Sequence, residues 1–281
     1  MIEEPLELRE VRGPSALGGG WRRSWELLYI IASTEFKRTY FGTALGYIWS
    51  IARPLLLFGV LLIVFTQAFH LGSQVPHYPV LLLLNLVLFT FFQEATGMAV
   101  PSIVSQEAIV RKTQFPRLVI PLSVVLTSLF NLGLNLIVTF IFLLAFGVTP
   151  MWTWLLLPVV VAALFILTTA VSMIVSSLFP RFRDIGIIWT VFATALFYAT
   201  PVLYPLDRLS HTMQEILILS NPLAVILTEV RVWIIQPSAP TAAAYAGGAV
   251  RLLIPFAIFI GVCVLAAWIF RREAPRVAEE L

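Results

Sequence analysis

Glu107 and Arg111 stand four residues apart in SQEAIVRKTQFPRLVIP (105–121), beside Lys112, Phe115 and Arg117. On a helix, an acid four residues before a base makes a favourable pair. Ile103, Ile109, Val110 and Phe115 add apolar anchors, and Pro116 would end the helix. This is the chemistry of docking onto another chain. A solvated loop carrying the same charge is the plainer alternative, and the residues alone do not separate the two. A second group is Glu94, in FFQEATG, an ionisable side chain inside an apolar run. A charge there is expensive and marks function by default. The alternative is a carboxyl satisfied by Gln93 and Thr96 or by a partner helix.

Covalent and metal chemistry find little support. His70, His77 and His211 have no carboxylate or Cys at ligand spacing. Cys263 is the single cysteine, so neither an intrachain disulfide nor a Cys cluster can form. A phosphate-cradling loop needs a lysine after glycine. Lys37 follows Phe36 and Lys112 follows Arg111. No catalytic, cofactor or metal site is expected, and any ATP would be bound by another polypeptide. Asp184 sits alone beside two arginines, which does not suit a membrane enzyme with paired acid and base. A single intramembrane acid also gives no proton relay.

The elements that hold these residues are membrane helices. The chain is 59% hydrophobic and 12% charged, with a mean hydropathy of +0.94. Soluble domains are about half apolar and about a quarter charged. Six runs reach the roughly 20 apolar residues that cross a bilayer: 45–69, 79–103, 118–147, 152–179, 184–204 and 250–270. Lipid offers the backbone no partners, so these are helices. The segment 210–235 is cut by Asn221-Pro222 and reads as two short outer helices, re-entrant or interfacial. Residues 1–20 read as a disordered tail. WRRSWELLYIIASTEFKRTYF reads as an amphipathic interfacial helix, with Trp25, Leu28, Tyr29, Ala32 and Phe36 on one face. Its alternative is an extension of the first span.

Arg and Lys near both termini and in the loops around 105–117 and 179–186 fall on one side, and only Arg208, Arg231 and Arg251 on the other. The positive-inside rule places the first side, with both termini, in the cytoplasm. The bias of 16 Arg to 2 Lys suggests a GC-rich genome, such as an actinobacterium.

Several stretches, in order, carry a family resemblance. KRTYFGTALGYIWSIARPLL (37–56) opens it, and FTFFQEATGMAVPSIVSQEAIVRKTQFPRLVIPL (89–122) continues it. Arg181-Phe182-Arg183-Asp184, Thr200-Pro201-Val202-Leu203-Tyr204-Pro205, Asn221-Pro222-Leu223 and Phe270-Arg271-Arg272 complete it. The chain resembles the membrane subunit of type-2 ABC exporters for polysaccharides such as O-antigen, teichoic acid or cell-wall galactan. Phe89 stands where that pattern has Trp.

The resemblance implies an all-α integral membrane fold, with residues 21–281 as one type-2 ABC transmembrane domain in the bacterial inner membrane. It implies a homodimer joined by two cytoplasmic ATPase chains that carry ATP and Mg. Glu107, Arg111, Lys112 and Phe115 would form a coupling helix on the ATPase, and Arg181, Arg183 and Asp184 the second contact. The cargo would be a polyprenyl-pyrophosphate-linked polysaccharide, with a drug or small lipid as the alternative, and a non-ABC channel or secondary transporter behind that.

Tyr40, Tyr47, Pro54, Phe58, Phe65 and Phe69 share one face of the first span, and Trp189 with Phe192 makes a shorter patch on the fifth. Aromatic faces suit sugar rings, and the resemblance implies that these spans line a channel between two copies. We therefore expect Tyr47, Phe58, Phe65, Phe69, Trp189 and Phe192 to line it, the alternative being helix packing. A pyrophosphate needs cations at the cytoplasmic entrance. Arg38 and Arg53 are the guanidinium groups for it, unless they only snorkel to headgroups.

Overall fold

An apolar chain in lipid must pair its backbone internally. The computed structural model describes residues 21–40, 48–68, 70, 75–106 and 117–273, and its regular elements are all helical. The longer ones are α1 (Trp21–Tyr40), α2 (Ile48–Gln67), α3 (Tyr78–Ala99), α4 (Val119–Ala145), α5 (Leu157–Leu178), α6 (Ile185–Ala199), α7 (His211–Ser220), α8 (Pro222–Val230) and α9 (Leu253–Glu273). A 3₁₀ turn, Trp152–Leu156, leads into α5, and another, Ala249–Leu252, leads into α9.

Helix α3 is the axis of the bundle. Its span is 78% buried, against 17% for α2 and 11% for α9. It packs on α2, α4, α5 and α6. Helices in lipid associate through close packing and interhelical hydrogen bonds rather than through the hydrophobic effect. Three such bonds join helices here, and a fourth holds the turn after α6. Asn135 Nδ2 donates to Ser50 O at 3.1 Å, Thr127 Oγ1 to Ala32 O at 3.1 Å, Asn85 Nδ2 to Pro201 O at 3.1 Å, and Trp189 Nε1 to Thr96 Oγ1 at 3.2 Å. Several other buried hydroxyls bond a carbonyl one turn back, as Thr168 does to Leu164 O at 2.7 Å.

Helix α1 lies along α4. Leu28 and Ala32 are buried, and Tyr29 meets Phe130 edge to face with centroids 6.2 Å apart. Trp25 and Tyr29 remain largely exposed, so the apolar stripe divides between a packed centre and open flanks.

Among the described residues five helices, counted with their 3₁₀ leads, are long and apolar enough to cross a membrane: α2, α3, α4, Trp152–Leu178 and Ala249–Glu273; the bent pair His211–Ser220 and Pro222–Ile235 passes the same test when taken as one span. The expected fifth span, 184–204, is shorter. Helix α6 has 15 residues, about 22 Å at 1.5 Å per residue. It stops because Pro201 biases Thr200 away from helical backbone, and Thr200 is extended (φ −100°, ψ 144°). Non-helical backbone is tolerated at membrane depth where protein buries it, and Thr200–Leu203 is buried. Tyr78 donates its hydroxyl to Leu203 O at 2.8 Å, Tyr204 donates its own to Tyr198 O at 2.8 Å, and Asn221 Nδ2 donates to Thr200 Oγ1 at 2.8 Å.

Helices α7 and α8 are bent 108° apart at Asn221. Asn221 Oδ1 caps α8 by accepting from Leu223 N at 3.0 Å, and Pro222 begins that helix. Beyond α8 the chain widens into one π turn, Arg231–Ile235. Under this hairpin Leu206, Ile218, Ala224, Tyr245 and Ala246 form a second small core.

Candidate translocation cleft

The later half of α3 is where the bundle opens. At about 100° per residue, Thr90, Gln93, Glu94 and Gly97 fall on one arc. Thr90, Gln93 and Glu94 are half-buried and Gly97 is exposed. The neighbouring arc holds Phe89, Phe92 and Thr96, which grip α6. Phe89 meets Phe197 at 5.2 Å between centroids, Phe92 meets Trp189 at 6.2 Å, and Trp189 bonds Thr96. On the other flank Glu94 Oε1 faces Arg53 NH1 of α2 at 3.5 Å. A polar strip thus lies along α3 between α2 and α6.

Helix α6 packs through one face only, with Trp189, Leu196 and Phe197 against the core. Ala193 is its one buried residue, while Ile187, Ile188, Val191, Phe192 and Tyr198 are exposed. Thr190, Thr194 and Tyr198, spaced four apart, set three hydroxyls on one face. Thr190 and Thr194 donate to Gly186 O and Thr190 O, each at 2.8 Å, which leaves their oxygen lone pairs as acceptors.

Helix α2 presents Trp49, Arg53, Leu56, Val60 and Ile63 outward, alternately four and three residues apart. Of the residues expected to line a channel, Phe58 is instead on the packed face of this helix. Phe58 is 6% exposed and sits edge to face against Phe142 of α4, at 6.1 Å. Phe65 is half-buried against the same core. Large apolar side chains repeated at helical spacing are the packing face of α2, and its open face is aliphatic with one Trp and one Arg. Trp189 is half-buried between Phe92 and Phe192, and Phe192 is exposed, 5.6 Å from Trp189. Tyr47, Phe69, Glu107, Arg111, Lys112, Phe115 and the side chain of Arg38 lie outside the described residues.

The turn from α5 to α6 exposes Arg181, Phe182, Arg183 and Asp184. The guanidinium of Arg181 lies 5.2 Å from the Phe182 ring centre, and that of Arg183 lies 5.2 Å from Phe179. Arg181 NH1 is 3.9 Å from Glu273 Oε2, tying the turn to the end of α9. Asp184 stands at the start of α6, where a negative charge is favoured.

Two polar clusters escape sequence reasoning. The first lies between α2, α3 and α4, where Pro54, Thr90, Glu94, Ser128, Asn131 and Asn135 line one small cavity. The NLGLN run at 131–135 was the available signal. The second locks the outer hairpin. Arg231, buried, donates NH1 to Asp207 Oδ2 at 2.9 Å and NH2 to Gln236 Oε1 at 3.1 Å, and the Tyr245 hydroxyl donates to the other Asp207 oxygen. Burial first, and the Asp207 carboxylate with it, push the Tyr245 phenol well above the ordinary tyrosine range. Glu229 Oε1 accepts from Ala242 N at 2.9 Å, and Arg251 pairs with Glu215. Among the described residues no three His, Cys, Asp or Glu are placed to hold a metal ion.

Comparison with known proteins fits this arrangement. Residues 26–235 match the ABC-2 type transporter family. The chain belongs to that family. This ABC-2 protein is 32% identical over 203 residues to the O-antigen export system permease protein RfbA of Myxococcus xanthus, covering 72% of this chain and 77% of the relative. It is 33% identical over 201 residues to the protein of that name from Klebsiella pneumoniae, covering 71% and 76%. It is thus a multi-pass transporter subunit, and the open strip on α3 lies inside the matched region.

Proposed function

We propose that the chain is the permease of an ATP-driven exporter carrying a polyprenyl-pyrophosphate-linked cell-envelope polysaccharide out of the cytoplasm. The observation that carries this reading is the cleft: a polar strip on α3 with a hydroxyl-bearing, aromatic α6 beside it. Lipid solvates such groups poorly, whereas a glycan has both hydroxyls to pair and apolar ring faces to stack. The names of the relatives, O-antigen export permeases, support the same cargo class.

On this reading two copies face each other with α2 and α6 at the seam, and the path runs between them. The Arg-rich end of the bundle is cytoplasmic, with both termini there. Arg38 and Arg53 receive the pyrophosphate. The loop at 105–117, with Glu107, Arg111, Lys112 and Phe115, docks on a separate ATPase holding ATP and Mg, and Arg181, Arg183 and Asp184 touch the same chain. Trp189 and Phe192 contribute to the lining. The α7–α8 hairpin closes the outer end.

The test is affinity purification of the tagged chain from its native membrane in mild detergent. A soluble ATPase at equal stoichiometry, lost when 105–117 is replaced by a neutral linker, supports the reading. Recovery of intact control complexes without an ATPase overturns it.

A further inference from the structure

Arg53 and Glu94 are a loosely made pair in an unusual place. The Arg53 side chain is 80% exposed and that of Glu94 is 32% exposed, with one nitrogen 3.5 Å from one oxygen. Charge-assisted pairs close to about 2.7–2.9 Å, and Arg binds carboxylate best through two parallel bonds. Most of the five guanidinium donors therefore point away from Glu94. They lie on the open face of α2, one turn after the exposed Trp49.

A second observation lies behind the carboxylate. Ser128 of α4 is 2% exposed, and its hydroxyl has no hydrogen-bond partner in the structure. It lines the same small cavity as Glu94, together with Asn131 and Asn135. A buried hydroxyl without a partner is costly and calls for an explanation. An acid on one wall and a free donor on another give that acid a second position.

We infer that Glu94 is the exchangeable counter-ion of Arg53, which a lipid-borne diphosphate displaces, and that Ser128 receives the released carboxylate. This rests on the cargo class proposed above. Empty, the site keeps Arg53 partly neutralised at the cytoplasmic entrance. The incoming diphosphate offers oxygens in pairs and so takes the bidentate geometry that Glu94 leaves unused. Glu94 then turns towards Ser128 and away from the anion. A neutral lipid cannot make this exchange, so the pair selects for the charged headgroup.

The experiment is equilibrium binding of a tritiated polyprenyl diphosphate to the full chain in phosphatidylcholine nanodiscs, with phosphatidylglycerol as competitor. Glu94→Gln removes the competing charge and should tighten binding roughly fivefold, the scale of a partly exposed ion pair. Arg53→Gln should abolish the gain and weaken binding. Ser128→Ala should weaken it roughly threefold, as a lost neutral hydrogen bond does, with Ser128→Thr restoring it. Glu94→Gln binding no tighter than wild type, with an unchanged melting temperature, overturns the exchange and leaves the cargo class standing. If Glu94→Gln does not fold, unchanged binding by Ser128→Ala overturns it instead. Equal displacement by phosphatidylglycerol assigns the anion to bulk lipid and overturns the selection for a diphosphate. No binding by the wild type overturns the cargo class and the exchange together.

Discussion

Asn135 on α4 donates its side-chain amide, at 3.1 Å, to the carbonyl of Ser50 on α2. This is the carbonyl that Pro54, inside α2, leaves without its helical donor. One residue breaks a backbone bond and another, 85 positions from Ser50 in sequence, replaces it. The same amide also reaches Asn131 O at 2.9 Å.

The pairing predicts a conditional effect. Asn135→Leu should destabilise the chain by about 1–3 kcal/mol, the cost of a buried acceptor left unmade. In a Pro54→Ala background the helix supplies its own donor, and the loss should shrink by at least half. Thermal melts of the four proteins in detergent decide it. Equal losses in both backgrounds would show that Asn135 acts through something other than Ser50.

Phe58 and Phe192 should behave oppositely. Phe58 is core, so Phe58→Ala should cost about 3–5 kcal/mol and lower the melting temperature. Phe192 is exposed on α6. Phe192→Ala, and Thr190→Val with Thr194→Val, should leave the melt in place while lowering glycan export in cells. Cell-surface glycan measured against protein level separates the two cases.

Arg231 and Asp207 form a pair with its cation buried. Removing the anion, as in Asp207→Asn, strands the buried Arg231 guanidinium and should destabilise the outer hairpin by about 1–3 kcal/mol. Adding Arg231→Met should recover part of that loss. Hydrogen exchange at 206–245 is the readout, and additive losses in the double variant would refute the coupling.

Tyr245 gives the pH dependence. Its phenol is raised by burial and by Asp207, so the folded state favours the neutral form. A raised folded value means a contribution fully present below the unfolded tyrosine value of about 10 and lost as pH rises through the folded one. The stability gap between wild type and Tyr245→Phe should hold constant from neutral pH to about pH 9 and close above that. A gap that closed below pH 9 would contradict the assignment.

The helices were legible because lipid leaves a polar backbone one solution. The Asn221-Pro222 break was legible because Asn caps and Pro starts a helix. The end of α6 was not. Residues 200–204 are as apolar as a helix end, and only the contacts from Tyr78, Asn85 and Asn221 show that the chain there is extended. The place of Phe58 was not legible for a related reason. Periodicity puts it on one face of α2 but does not show what that face meets, and Phe58 meets Phe142 of α4. Arg53 and Glu94 each stood out singly by their charge, whereas their pairing, and Ser128 behind them, needed three helices to be placed together.

Helix α6 also sets a condition on the membrane itself. Its 15 residues fall roughly 8 Å short of a bilayer's hydrocarbon thickness. Such hydrophobic mismatch is relieved by thinning the lipid beside the short element or by covering that element with protein. A second copy against α6 would supply the cover. A lone copy would dimple the bilayer and draw other dimples towards it, so on the two-copy arrangement proposed above lipid elasticity would favour pairing at this helix. Acyl-chain length then becomes a control: thicker bilayers should strengthen the association, and thinner ones should loosen it.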